Sequence, residues 1–262
     1  MVDNDDAFIH IGPDHPEFVH YTQKNHTMEL LMQQAGQVWF STANLAQAYK
    51  HIERPRHVVE NTLDARIWRD YRQERPLIGQ QDCVRMVYMG TATHDADFDM
   101  IMPALDALAQ ERPDSFELTL ISAVRNPPER SWLRVLQPDV NARVYPRFVR
   151  WFVRQPHWDV GLSPLVDNPF NRCKSDIKFL DYAALGVLPV LSDIAAYNGD
   201  AKTHGLAITA ENSTEGWLAA LTEAVTEIKA HRHTVRRAQE FVWSQRSGEQ
   251  GAARQWELLQ ML

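Results

Sequence analysis

The chain has 262 residues, 44% of them hydrophobic and 23% charged, which is enough apolar content for one or two folded domains with a sizeable core. Its formal net charge of −7 excludes a nucleic-acid-binding face, because a phosphate backbone demands a basic surface, so any phosphate-bearing partner must be held by a local cluster. Two distant cysteines, Cys83 and Cys173, suggest neither a disulfide framework nor a zinc site, and no apolar run approaches the roughly 20 residues that span a bilayer; with an acidic N-terminus unlike a signal peptide, the expectation is a soluble, cytoplasmic protein, compatible with peripheral membrane contact.

In chain order, residues 2–21 open on an acidic cluster and continue through Gly-Pro and His-Pro signals, and read as loop. Asp3, Asp5 and Asp6 lack the spaced oxygens and central Gly of a calcium loop, and read as solvated surface. Met28, Leu31, Met32 and Ala35 recur at helical spacing, predicting an amphipathic helix over 23–35. A strand follows at 37–40, then a Ser41-Thr42 cap, a helix over 43–51 and a short strand with an Asx turn in HVVENTLD. Polar residues with Pro76 and Gly79 make 71–81 the expected domain boundary. Beyond it strands and helices alternate: strand 84–89, helix 97–110, strand 116–121, short strand 142–145, helix 147–154, and a last strand at 205–209 before long helices over 213–230 and 233–245. Repeated βα alternation with apolar strands specifies an α/β, doubly wound parallel sheet of Rossmann-like type.

The stretch from Trp158 to Asp193 is the centre of this pattern. WDVGLSPL is a strand signal, SDIKFLDYAALG a helix ended by Gly186, and VLPVLS a second strand, together one βαβ unit. On the helix Lys174, Lys178 and Asp181 stand at i, i+4 and i+7, sharing a face opposite Ile177, Leu180 and Ala184. Two lysines at this spacing repel each other, and a helix N-terminus carries partial positive charge, so the arrangement costs stability unless an anion sits there. Backbone N–H groups with the Ser175 hydroxyl nearby would suit a phosphate. By itself the helix also admits a plainer arrangement, with Ser175 as N-cap, Lys178 paired with Asp181 and Lys174 in water.

FNRCKSDIKFLDYAALG followed by PVLSD resembles the donor-binding segment of GT-B-fold glycosyltransferases, particularly bacterial members of the retaining group related to glycosyltransferase family 4. That family carries an acidic residue five positions before a Gly in a pattern like E-A-x-A-x-G-x-P-V-V, and Asp181 to Gly186 keeps the spacing. The resemblance implies that Asp181 hydrogen-bonds the ribose hydroxyls of a nucleotide-sugar. The chain departs from the pattern by having Asp181 for the usual Glu, Cys173 where a second Glu is usual, and Pro189 one residue late. QVWFSTANLA and HVVENTLDARIW resemble the end of the N-terminal domain of the same enzymes, which implies that residues 1–75 are a partial acceptor-side segment and 76–262 the nucleotide-sugar-binding domain. Terminal helices of such enzymes pack back across the domain junction.

The first turn of the second region, MGTATHDAD, places Gly90 directly after a strand and before a helix, where a ligand can approach the backbone. Ligands of open α/β sheets bind at the carboxyl ends of strands, which joins the Gly90 turn and the Lys174 region into one expected site. The resemblance implies that Gly90, Thr91 and Thr93 border the donor phosphates, with His94 as a hydrogen-bond donor to them; the family's usual Arg and Lys pair is not visible here, so Lys174 and Lys178 would supply the charge. Asp95-Ala96-Asp97 looks like a metal-binding D-x-D but reads better as helix capping. Arg125 and Arg172 are candidate phosphate contacts on loops. The expectation is a retaining, metal-independent glycosyltransferase without a cofactor. It would move a sugar from a nucleoside diphosphate sugar to a hydroxyl acceptor such as a glycan or lipid-linked glycan, with Lys174 and Lys178 catalytic in stabilising the leaving diphosphate. The alternative is a nucleotide-sugar-binding module without turnover. An epimerase would need an acid–base pair that cannot be placed.

Overall fold

The computed structural model describes residues 1–13, 17–68, 79–80 and 82–260. The domain boundary expected over 71–81 falls mostly outside them. A small parallel sheet comes first, in the order β1 (Val2–Asn4), β2 (Val38–Phe40), β3 (Arg56–Val58). Helix α1 (Phe18–Gln34) connects the first two strands and α2 (Ala43–Ala48) the last two. The Thr42 cap is present: its Oγ1 accepts from the Leu45 N–H at 3.1 Å. The loop expected over 2–21 is corrected, since β1, a 3-10 turn at Phe8–His10 and the start of α1 lie there. Val2–Asn4 pairs with the fully buried β2, a tertiary contact that three residues of sequence do not announce.

After α3 (Ala65–Trp68) comes a six-stranded sheet, parallel throughout, formed by β4 (Val84–Met89), β5 (Phe116–Ile121), β6 (Leu133–Leu136), β7 (Val160–Ser163), β8 (Leu188–Ser192) and β9 (Ile208–Ala210) in the order β6-β5-β4-β7-β8-β9. The doubly wound α/β expectation therefore holds, and the order reverses between β4 and β7, the point where such sheets open a crevice. The period of two along β4 explains the layering. Val84, Met86 and Tyr88 join a core with α4 (Asp95–Glu111) and α8 (Thr214–Thr226), whereas Val87 and Met89 face α5 (Tyr145–Phe152), α6 (Ile177–Ala184) and α9 (Arg232–Gln245). Phe98, Ile101, Leu105 and Leu108 of α4 are fully buried, each contributing about 1.5–3 kcal/mol of transfer free energy.

Two expectations fail here. The strand predicted over 142–145 is a 3-10 turn, Val140–Arg143, running into α5, with Pro146 in the first helical turn where its fixed φ and missing N–H are tolerated. The strand in its place is β6, an edge strand of four residues whose Arg134 interrupts the apolar run. The helix of the central unit also starts later than expected. Asp176, not Ser175, is its N-cap, and Lys174 lies in extended backbone before it. Its C-terminus closes as predicted: Gly186 N–H donates to Ala183 C=O and Val187 N–H to Tyr182 C=O, both at 3.0 Å.

A short α7 (Asp200–Thr203) precedes β9, and α10 (Gly248–Leu259) ends the description. The terminal helices return to the first sheet. The Leu63 N–H donates to Arg246 C=O at 2.9 Å and Gln37 Nε2 to Leu258 C=O at 3.3 Å. Arg246 is 6% exposed, and its guanidinium grips Asp176 at 2.9 and 3.0 Å, Asp200 at 2.6 Å and the Asn61 carbonyl.

Candidate functional site

A cleft of about 820 Å³ lies at the carboxyl ends of β4 and β5, on the side where the strand order reverses. Gly90, Thr91 and His94 line it from the turn after β4, Lys174 and Ser175 from the approach to α6, and Lys178 and Asp181 from α6 itself, and Asp5 and Asp6 after β1 line it too. The residues singled out in two distant parts of the sequence are therefore neighbours. Thr93 is one step back: its Oγ1 lies 3.0 Å from Thr91 Oγ1, and only Thr91 lines the cleft. Arg172 pairs with Asp167 at 2.6 Å and is not among the lining residues, whereas Arg125 lines the cleft with its guanidinium tied to Asp95 at 3.2 Å and to the Ala92 carbonyl at 2.9 Å.

His94 sits at the junction of the two halves. Its Nδ1 lies 2.7 Å from Asp97 Oδ2 and its Nε2 3.4 Å from Lys178 Nζ. Burial first, and then the Lys178 charge, lower its pKa to about 4, so the ring is neutral at pH 7. A carboxylate can only accept, which puts the ring proton on Nδ1 and leaves the Nε2 lone pair toward Lys178. In this tautomer Nε2 is an acceptor for the Lys178 ammonium. Asp97 Oδ1 meanwhile accepts from the Val166 N–H at 2.6 Å and from Asn171 Nδ2 at 3.3 Å, tying the loop after β7 to α4. Asp95 and Asp97 are thus spent on protein groups, and among the described residues no three His, Cys, Asp or Glu side chains are grouped as a metal site.

The basic wall carries a built-in cost. Burial, with Lys174 as second cause, lowers the Lys178 pKa to about 7, and its Nζ lies 5.0 Å from the Tyr88 ring centroid. The ammonium of Lys174 sits 4.7 Å above the Phe170 ring. Burial raises the Asp181 carboxyl to about 7 although Tyr145 donates to its Oδ1 at 2.8 Å. Two lysines and a carboxyl that burial holds toward its neutral form are thus crowded at the end of a parallel sheet, with Asp6 close enough to Lys174 to feel its charge. Ser175 Oγ accepts from Asn61 Nδ2 at 2.8 Å and keeps its own O–H free to donate; the same Asn61 nitrogen reaches Asp5 at 3.0 Å. Sequence reasoning missed Tyr145, Asn61 and Ser122. None of the three carried a local signal: the φ of 55° at Ser122 is visible only in the backbone, and Tyr145 and Asn61 reach partners far along the chain.

No protein-family model and no curated protein matches the chain. Solved structures do match. Trehalose-6-phosphate synthase OtsA superposes with a TM-score of 0.65 at 13% identity over 95% of this chain and 65% of that one. HepE of Anabaena, solved with UDP and glucose, gives 0.65 at 14% identity over 100% and 71%, and sucrose-phosphate synthase of Thermosynechococcus elongatus 0.60 at 13% over 90% and 61%. The chain has the GT-B fold. It spans 61% and 65% of the length of the sucrose-phosphate and trehalose-6-phosphate synthases respectively. Asp5 and Asp6, which line the cleft, follow the first strand of the three-stranded sheet.

Proposed function

We propose that the chain is a nucleoside-diphosphate-sugar-dependent glycosyltransferase unit that moves a sugar to a hydroxyl acceptor with retention. The observation that carries this reading is the convergence of Lys174, Lys178, Ser175 and the Gly90 turn on one cleft at the strand-order reversal, beside a buried carboxyl at Asp181. The donor diphosphate lies against the Gly90–Thr91 backbone and the Ser175 hydroxyl, with the two ammonium groups facing its oxygens. As the bond from sugar to phosphate breaks, negative charge grows on the leaving oxygen. Lys178, held in place by His94, is a preorganised donor for that charge, so its contribution is larger in the transition state than in the ground state. The departing phosphate takes the proton of the acceptor hydroxyl as that oxygen bonds to the sugar carbon, so no separate protein base is required. Asp181 accepts from a ribose hydroxyl. Lysines supply the positive charge in place of a metal. The two free cysteines are in keeping with a reducing cytoplasm, and among the described residues no helix is long and apolar enough to cross a membrane.

The test is calorimetric titration of the chain with nucleoside diphosphates and their sugar conjugates, with and without magnesium. UDP comes first because HepE was solved with it. Metal-independent micromolar binding supports the donor site, and no binding across the panel overturns it. A second reading, nucleotide-sugar binding without turnover, is favoured by the small acceptor side, where the described sheet has three strands of three residues each. Release of free sugar or transfer to a glycan acceptor in the presence of a bound donor refutes that reading.

A further inference from the structure

Asp181 is the one carboxyl that α6 presents to the cleft, and it is 5% exposed. Its two oxygens are not equivalent. Oδ1 accepts from the Tyr145 hydroxyl at 2.8 Å, whereas Oδ2 has no hydrogen-bond partner among the described residues. Tyr145 comes from a different element, the first turn of α5, which is anchored by the buried Val149 and Phe152 and started by Pro146. The phenol itself lines the cleft. Trp68 of α3, fully buried, belongs to the same core cluster as Val149 and Phe152 of α5. An aspartate has a single torsion beyond χ1, so a bond fixed at Oδ1 also fixes where Oδ2 points.

Building on the donor-site reading above, we propose that Tyr145 is a positioning residue that aims Asp181 Oδ2 at a single ribose hydroxyl, making the Tyr145–Asp181 pair the element that selects ribose over deoxyribose in the donor. The two side chains act as one unit. With Tyr145 present, Oδ2 is a localised acceptor that a ligand lacking the matching hydroxyl leaves unpaired, and an unpaired buried acceptor is penalised more than a made bond is rewarded. Without Tyr145 the carboxyl is free to rotate about χ2 and to turn toward other donors, Lys178 among them on the same helix, so the selection weakens while the diphosphate contacts remain.

The experiment compares wild type with Tyr145→Phe, titrating each with UDP, 2′-deoxy-UDP, 3′-deoxy-UDP and inorganic pyrophosphate. Wild type is expected to bind one of the two deoxy ligands about tenfold more weakly than UDP, the scale of a hydrogen bond to a charged group. In Tyr145→Phe that ratio is expected to fall to about twofold or less, with pyrophosphate affinity unchanged, which also shows that the cleft has kept its shape. Tyr145→His, which can still donate a proton to Oδ1, is expected to recover part of the ratio. A variant that binds pyrophosphate normally and keeps the full wild-type ratio overturns the inference, as does a wild type that binds UDP and both deoxy ligands equally. If wild type binds pyrophosphate but no nucleoside diphosphate, it is the donor reading that falls, and this inference falls with it.

Discussion

Raising the pH from 7 to 9 is expected to weaken nucleoside diphosphate binding steeply. Burial, reinforced by Lys174, brings Lys178 down to about 7 in the empty protein, and an anionic ligand restores its preference for the charged form. Between the empty and the bound pKa each pH unit costs a factor of ten in affinity, about 1.4 kcal/mol. Because the dependence flattens within a unit of each pKa, a bound value near 9 would give a fall of about 25-fold over the interval, with uptake of about 0.8 proton on binding near pH 8. Asp181, pushed up to about 7 by burial, ionises over the lower part of this range, so the Asp181→Asn variant separates the two groups and should keep the slope. Calorimetry at pH 7, 8 and 9, in two buffers of different ionisation enthalpy, measures affinity and proton uptake together. An affinity flat across the range, with heats independent of buffer, would refute the assignment of the charge to Lys178. Stability follows the same linkage. The unfolded chain keeps the Lys178 proton up to its ordinary value of about 10.4, whereas the folded chain sheds it above about 7. The unfolded state therefore binds more protons in that window, and the empty protein gains stability as pH rises through it. Lys178→Met should remove both that gain and the pH dependence of binding.

Three further outcomes follow from the packing. Lys174→Ala should weaken nucleoside diphosphate binding by about 1–3 kcal/mol, the usual value of a charge-assisted contact, with an unchanged circular dichroism spectrum; equal affinity in a folded variant would remove Lys174 from the site. Gly161→Ala should destabilise the fold by about 1–3 kcal/mol in chemical denaturation, because the added Cβ would lie 2.4 Å from the buried Tyr182 ring on the sheet face that carries α6. Arg246→Ala should cost about 3 kcal/mol and lower Tm by roughly 6–12 °C, since it leaves Asp176 without its guanidinium and uncaps the Asn61 carbonyl; a loss below about 1 kcal/mol would mean that water replaces the guanidinium without strain.

The sequence was most legible where local and tertiary demands agree. Strands β4 and β5 coincide with the expected 84–89 and 116–121 because β4 is a nearly continuous apolar run and β5 alternates Phe116, Leu118 and Leu120 on its buried face. Edge elements were the least legible. Strand β6 alternates with Arg134 in water, and β1 is too short to carry a period. The candidate site divides in the same way. Gly90, Lys174, Lys178 and Asp181 lie where topology carries the carboxyl ends of strands, so joining them needed only the βα pattern. Tyr145, Asn61 and Asp97 act through partners 36, 114 and 74 residues away, and nothing in a linear pattern brings such pairs together. His94 was legible as a position, whereas its neutral state, which depends on burial beside Lys178, was not.

The return of the last helices to the first sheet bears on how the chain is made. Gln37 meets Leu258 across 221 residues of sequence, and Leu63 waits for Arg246. During synthesis the N-terminal segment leaves the ribosome long before the C-terminal backbone that Gln37 and Leu63 bond to exists, and closing so long a loop is slow. The α/β sheet of β4 to β9 can assemble first and serve as the template. Until then the first sheet lacks the C-terminal contacts at Gln37 and Leu63, so the early part of this chain is the stretch with the greatest need of chaperone protection, and the yield of native protein should respond more to the speed of translation than the stability of the finished fold would suggest.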